Sequence, residues 1–345
     1  MQFCQENGGS DLHLTVGLPP TVRISGHLVP INETKLGQAD TESFVNYFLS
    51  PVQKATLDDL GELDTSVASP GHYRFRLNAY HQRGSYALAM RLVNEKIKTI
   101  AELGMPETIS NFAWKSRGLV LVTGPTGSGK STTLATLIDL VNRERDCHII
   151  TIEDPIEYLH KHNKSMVNQR EVGSDTKSYS NALRAALRED PDVILIGEMR
   201  DLDSIAIALT AAETGHLVFS TLHTIGAAKT IDRIIDVFPP TQQQQIRIQL
   251  SMTLLGVVSQ QLIPRMNSSG RVAATEIMMV TPAIRNLIRE AKTPQINNAI
   301  LTGGSMGMST MDNSLLNLYQ DKLISREDLN LYCVDPAYIN QNVRL

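Results

Sequence analysis

The nine residues Gly124-Pro125-Thr126-Gly127-Ser128-Gly129-Lys130-Ser131-Thr132 decide how the rest of the chain is read. They fit the phosphate-loop pattern G-x-x-x-x-G-K-[ST], with Gly124, Gly129, Lys130 and Ser131 in the fixed places. Glycines allow successive backbone N–H groups to turn inward around a polyphosphate, where a Cβ would collide. Lys130 brings a point charge to the β- and γ-phosphates and is read as solvent-facing rather than as a core group. The Ser131 hydroxyl is of the kind that ligates Mg2+. The flanks agree. Leu119-Val120-Leu121-Val122 is an apolar run of the kind seen in buried parallel strands. After the loop, Leu134, Leu137, Ile138 and Val141 recur at helical spacing, so the loop closes onto a helix N-terminus, itself an anion site. The whole stretch Gly124 to Thr132 therefore predicts binding of a nucleoside triphosphate.

Working outward, the 345 residues predict about two domains, and 42% hydrophobic content is ample for sizeable cores. The formal net charge of −4, with acids and bases mixed along the chain, gives no sign of a nucleic-acid tail. No apolar run approaches the roughly 18 residues of a membrane span. The first residues show neither the basic segment nor the apolar core of a signal peptide. Cys4, Cys147 and Cys333 lie too far apart for a zinc pair or a disulfide framework. These features predict a soluble, cytoplasmic protein.

Residues 1–96 read as a smaller α+β domain. Asp11–Val16 and Thr21–Ile24 alternate polar and apolar around a Gly17-Leu18-Pro19-Pro20 turn, and Thr41–Leu49 fits a short amphipathic helix. Tyr73–Leu92 reads as a hairpin around His81-Gln82-Arg83-Gly84 and carries Arg74, Arg76, Arg83 and Arg91. Of these, Arg76 and Arg83 are the candidates for contact with a γ-phosphate. Val93–Ile100 is polar enough to be a linker. Residues 97–345 then alternate strand and helix, which predicts a parallel α/β sheet, with strands at His148–Ile152, Val193–Ile196 and Leu217–Ser220. Helices are expected at Tyr179–Arg188 and Leu202–Ala212. Past about Thr241 the chain is expected to be mostly helical, with one hairpin-like stretch at Arg271–Val280.

Open parallel sheets bind ligands at the carboxyl ends of their strands. The second strand leaves into Glu153-Asp154-Pro155-Ile156-Glu157, where a carboxylate could orient a water and take its proton. Glu157 is the first choice and Glu153 the second. The third leaves into Gly197-Glu198-Met199-Arg200, a Walker-B-like position in which glycine stands where aspartate often does, so Glu198 alone handles Mg2+. The fourth is flanked by His216 and His223. His223 is on the side of the acids and could sense the γ-phosphate or bridge to a neighbouring subunit, while His216 reads as structural or as part of an interface.

Together these segments resemble the secretion-ATPase superfamily. Gly124–Thr132 is similar to its Walker A box, Thr151–His160 to the aspartate box, Asp192–Arg200 to Walker B and Thr210–Thr224 to the histidine box. The Arg-rich hairpin resembles the family's N-terminal arginine segment. Ala283-Ile284-Arg285-Asn286-Leu287-Ile288-Arg289-Glu290 resembles the signature of the pilus retraction branch, the PilT family. In pattern it is an amphipathic helix with Ala283, Ile284, Leu287 and Ile288 on one stripe. The resemblance implies a PAS-like domain before a RecA-like P-loop domain and a homohexamer at the inner face of the cell membrane. It implies ATP hydrolysis with Mg2+, with ATP between the two domains and met by arginines of adjacent subunits. It further implies action on an inner-membrane pilus platform protein within the pilus machinery, no nucleic acid, and peripheral membrane association only through partners. The implied work is pilus retraction and twitching motility. An accessory retraction ATPase, a pilus assembly or type II secretion ATPase, a RecA-like nucleic-acid motor and a non-hydrolysing scaffold stay open as alternatives.

Overall fold

The computed structural model describes residues 1–24, 26–68, 74–93, 96–266 and 270–343. Tyr73, the expected start of the hairpin, and Asn94 and Glu95 of the expected linker lie outside the described residues. The chain is α/β and divides into two units, Met1–Glu95 and Lys96–Leu345.

The first unit carries β1 (Gly9–Leu14), β2 (Thr21–Ile24), β3 (His27–Pro30), β4 (Glu62–Ala68), β5 (Arg74–Gln82) and β6 (Ser85–Leu92). They form one antiparallel sheet in the order β3-β2-β1-β6-β5-β4. Phe75, Leu77, Ala79, Leu88 and Met90 are buried from its central strands, with Val45 and Leu57 from helices Gln38–Phe48 and Pro51–Leu60. Strands β3 and β4 and the second helix were not foreseen. His27-Leu28-Val29-Pro30 is exposed at every position, so it presents no alternation to read.

The second unit carries β7 (Gly118–Thr123), β8 (His148–Glu153), β9 (Met166–Glu171), β10 (Val193–Ile196), β11 (Leu217–Leu222), β12 (Leu254–Pro264) and β13 (Arg271–Met279). The sheet order is β13-β12-β7-β11-β10-β8-β9, parallel throughout except for β13 at the edge. Successive residues of a strand feed opposite faces. Leu119 and Leu121 join one core with Ala208, Leu209 and Ile231, while Val120 and Val122 join another with Leu134, Leu137 and Phe112. Both faces are covered by helices, which is why β7, β10 and β11 are buried at every position and read as largely apolar runs, the Ser220 and Thr221 hydroxyls of β11 donating to the carbonyls of Ile196 and Gly197.

Past Thr241 the chain is mostly helical, as expected, and β13 falls on the expected stretch Arg271–Val280, but two strands come in addition to the four-strand core that the sequence predicts. β9 lies beside β8, and β12 runs between β7 and β13. Leu254-Leu255-Gly256-Val257-Val258 continues directly from helix Pro240–Thr253, so no turn signal marks the change. The switch occurs where β-branched Val257 and Val258 begin, with a register shift between Leu254 and Gly256.

Gly256 is required by packing. A Cβ there would overlap the Phe112 ring, which is fully buried, and lie 2.7 Å from the Met278 carbonyl oxygen. Gly256→Ala is expected to cost about 1–3 kcal/mol of stability by overpacking, read as a lower urea midpoint. Adding Phe112→Leu should recover part of the loss. An unchanged midpoint for the single variant would show that the ring yields freely.

Candidate functional site

Parallel pairing puts the ends of four strands on one edge. Thr123 of β7 is in register with Leu222 of β11, Ser220 of β11 with Ile196 of β10, and Ile196 with Ile152 of β8. The residues following each strand therefore converge.

After Thr123 the chain turns at Gly124, whose φ of +142° admits glycine most readily. The loop ends at Gly129, and helix Lys130–Glu144 begins. Gly129 cannot cap that helix with a side chain, so the amides of the loop and first turn are free of such a cap. Lys130 differs from its expected solvent-facing position. It is 9% exposed, and its ammonium donates to the carbonyl oxygens of Gly124 at 2.9 Å and Pro125 at 3.0 Å. Burial lowers its pKa, and the negative charges of Glu157 and Glu198 oppose that shift. The cation and the two carboxylates thus share one electrostatic neighbourhood. Pro125, Thr126 and Gly127 are exposed at the loop's crest, Ser128 is buried, and Ser131 is half-buried in the helix's first turn. The Thr132 hydroxyl is 2.8 Å from that of Tyr158.

The two carboxylates after β8 differ in setting. Glu157 is exposed, while Glu153 accepts from the Thr151 hydroxyl at 2.7 Å and the Gln169 amide at 3.2 Å. Burial pushes the Glu153 carboxyl up to about 7, against the pull of those two bonds and of the Glu157 N–H. Near neutral pH Glu153 therefore keeps its proton part of the time.

Glu198, 12% exposed, is the hub of the third exit. One carboxylate oxygen pairs with the Arg200 guanidinium, and the other is 3.5 Å from His223 Nε2. The bond to Glu198 holds the Arg200 pKa further up. Gly197 has the Tyr179 hydroxyl 3.0 Å and the Ile152 carbonyl oxygen 3.3 Å from where a Cβ would stand, so a side chain at this place would be tightly confined. His216 is at the other end of β11, with Nδ1 2.9 Å from the Ala211 carbonyl at the end of helix Leu202–Glu213.

The structure thus brings together Lys130, Ser131, Glu157, Glu198 and His223. Arg76 and Arg83 belong to the other unit. Arg76 is exposed on β5 with Asp64 3.8 Å away, and Arg83 is in the β5–β6 turn at φ 49°. Sequence reasoning missed Arg200, Tyr179 and Gln260. Arg200 stood in plain view two residues past Glu198. Nothing local marks Tyr179 or Gln260, because each reaches the site from a different element.

A family model described as type II/IV secretion system protein matches residues 53–311. The type IV pilus retraction ATPase PilT of Pseudomonas aeruginosa is 52% identical over 328 residues, 95% of this chain and 95% of that one. A twitching motility protein of Neisseria gonorrhoeae is 47% identical over 308 residues, 89% of this chain and 82% of that protein. Among solved structures, the crystal structure of the pilus retraction motor PilT with bound ADP matches with a TM-score of 0.92 at 48% identity, covering 99% of this chain and 97% of that chain. A phosphate loop with a buried lysine and two carboxylates, on a chain alike to these proteins over nearly its whole length, makes this an ATPase, and the chain belongs to the type II/IV secretion family as one of its PilT-type members.

Proposed function

We propose that this ATPase is a homohexameric motor that powers retraction of a type IV pilus, and so twitching motility, from the cytoplasmic face of the inner membrane. The observation that carries the ATPase mechanism is the buried Lys130 ammonium, held inside the phosphate loop by the Gly124 and Pro125 carbonyls, on the sheet edge from which Glu198 also departs. The retraction reading is supported by likeness to proteins named for pilus retraction and twitching motility. Among the described residues no helix is long and apolar enough to cross a membrane, so membrane association through an inner-membrane platform protein fits the reading. A PAS-like first domain, residues 1–96, and a RecA-like second, residues 97–345, complete it.

In the proposed mechanism the backbone N–H groups of the stretch Gly124 to Thr132, which all its residues but Pro125 carry, surround the phosphates of ATP. Lys130 exchanges its two carbonyl partners for β- and γ-phosphate oxygens. The residues present suit Mg2+, which takes hard oxygen ligands and keeps several waters, so one hydroxyl and one carboxylate suffice. Ser131 and Glu198 would hold it, and it would neutralise charge developing on the phosphates. Glu157, exposed and linked through its N–H to Glu153, accepts the proton of the attacking water. His223 reports on the γ-phosphate through its contact with Glu198. Arg76 and Arg83, brought in by domain closure or from a neighbouring copy, would add positive charge in the transition state.

Helix Pro282–Arg289 presents the surface assigned to retraction. Thr281 caps it, accepting from the Ile284 N–H at 3.3 Å, and Ile284 and Ile288 are fully buried. Ala283, expected on the buried stripe, is exposed, and so are Arg285 and Arg289.

Lys130→Ala should abolish ATP turnover. Glu157→Gln should still bind MgATP but turn over about 10²–10⁴ times more slowly, because an amide cannot take the water's proton. Steady-state assays on the purified variants check both. Near-normal turnover in Lys130→Ala would refute the nucleotide site, and in Glu157→Gln would move the base to Glu153.

For the retraction surface, the Arg285→Ala, Arg289→Ala double variant removes exposed charges, which usually contribute within about 1 kcal/mol of stability. It should fold and hydrolyse ATP at the wild-type rate yet fail to restore twitching to cells lacking the protein. Normal twitching would reduce this helix to a structural element.

A further inference from the structure

Ser259 and Gln260 follow one another in the middle of β12, are 0% and 1% exposed, and no sequence motif includes them. Ser259 is in register with Thr123, the last residue of β7, so Gln260 sits one step further on, beneath the departing phosphate loop. Both ends of its side chain are used. The amide nitrogen donates to the carbonyl oxygen of Ser128, and the amide oxygen accepts from the Thr133 hydroxyl at 2.8 Å. The backbone closes in as well. A Cβ on Gly124 would overlap the Gln260 carbonyl oxygen, and one on Gly129 would stand 3.0 Å from its amide nitrogen. Two of the loop's glycines are thus packed against this single residue.

The geometry points to Gln260 as a positioning residue of the ATPase site, one that sets the orientation of the Ser128–Gly129 peptide for phosphate binding. The C=O and N–H of a trans peptide point in opposite directions. Holding the Ser128 carbonyl down toward β12 turns the Gly129 N–H to the other side, toward the cavity of the loop. The Ser128 carbonyl can only accept, so it selects the nitrogen end of the Gln260 amide, and Thr133, in the first turn of the following helix, holds the far end by donating to its oxygen. A neutral residue with both a donor and an acceptor is needed, and glutamine has both on a side chain long enough to span loop and helix. The preceding residue serves the opposite face. Ser259 Oγ accepts from the Gly226 N–H at 2.9 Å, securing the segment that follows His223.

This inference rests on the reading of Gly124–Thr132 as the ATP site. Gln260→Met keeps the volume and removes both bonds. A loop that must be ordered by the ligand itself binds ATP more weakly in ground and transition states alike, so KM should rise about tenfold while kcat stays within about threefold. Loss of folded protein alone would have the opposite signature, a lower apparent kcat at unchanged KM. Thr133→Val, a gentler change that frees only the acceptor end, should raise KM about threefold and supplies the test if Gln260→Met does not fold. A folded Gln260→Met protein with KM within twofold of wild type would overturn the inference, as would an unchanged KM in Thr133→Val when Gln260→Met is unfolded. In either case a wild-type protein that turns over ATP and a dead Lys130→Ala leave the nucleotide site standing. Wild-type protein without saturable ATP turnover would overturn the site and this inference with it.

Discussion

The in-register parallel pairing of β8, β10, β11 and β7 is the constraint on which the site depends. Ile152, Ile196, Ser220 and Leu121 sit in one rank across the sheet, so the chain must leave every strand on the same edge. Each departure delivers one chemical part, whether loop amides, carboxylates or imidazole. A parallel strand needs a crossover of a dozen or more residues, and the helices that make those crossovers cover both faces of the sheet. The same packing that buries β7, β10 and β11 therefore also assembles the site. Few single changes in a crossover helix can move one part without straining the register of the others.

Within that edge, charge is arranged sparingly. Lys130 is nearly buried, which is costly for an ammonium unless hydrogen bonds and opposite charges offset the loss of water. The carbonyls of Gly124 and Pro125 supply the bonds, and Glu157 and Glu198 the charges. Glu198 is itself held between Arg200 and His223, so its oxygens have defined directions. The environments of Glu153 and Glu157 diverge over four residues. One is packed under two side-chain donors with its pKa near 7, and the other is open to water. Such a division of neighbouring carboxyls allows one to orient while the other reacts.

β12 ties the phosphate loop to the rest of the unit. Its Val257 and Val258 join the cores on the two faces, its Gln260 underlies the loop, and its Ser259 secures the turn into helix Ala227–Asp236. Glu276 of β13, also buried, accepts from the Ala227 N–H at 2.7 Å and reinforces that turn. A strand that pairs with β7 on one side and β13 on the other thus braces two of the four exits from behind.

Much of this was legible in the amino-acid sequence, because it is local. The phosphate loop, the apolar runs of β7, β10 and β11, and the acids and histidine that follow them each declare themselves within a few residues. Strands buried on both faces are mostly apolar, and phosphate cradles must be rich in glycine. The helix Pro282–Arg289 was likewise evident from Thr281 at its cap and its apolar spacing. What escaped was decided by partners distant in the chain. Leu254–Pro264 is a strand because β7 and β13 offer it ladders on both sides, while its own residues begin where a helix ends. Gly256 is glycine because the Phe112 ring stands over it, and Gly197 is closely approached by Tyr179. Lys130 is buried rather than free because the loop folds its carbonyls around the ammonium. Gln260 matters through Ser128 and Thr133, more than 120 residues earlier. Sequence patterns report a residue's preference for water or for a backbone conformation. Only the tertiary fold decides which distant group meets it there.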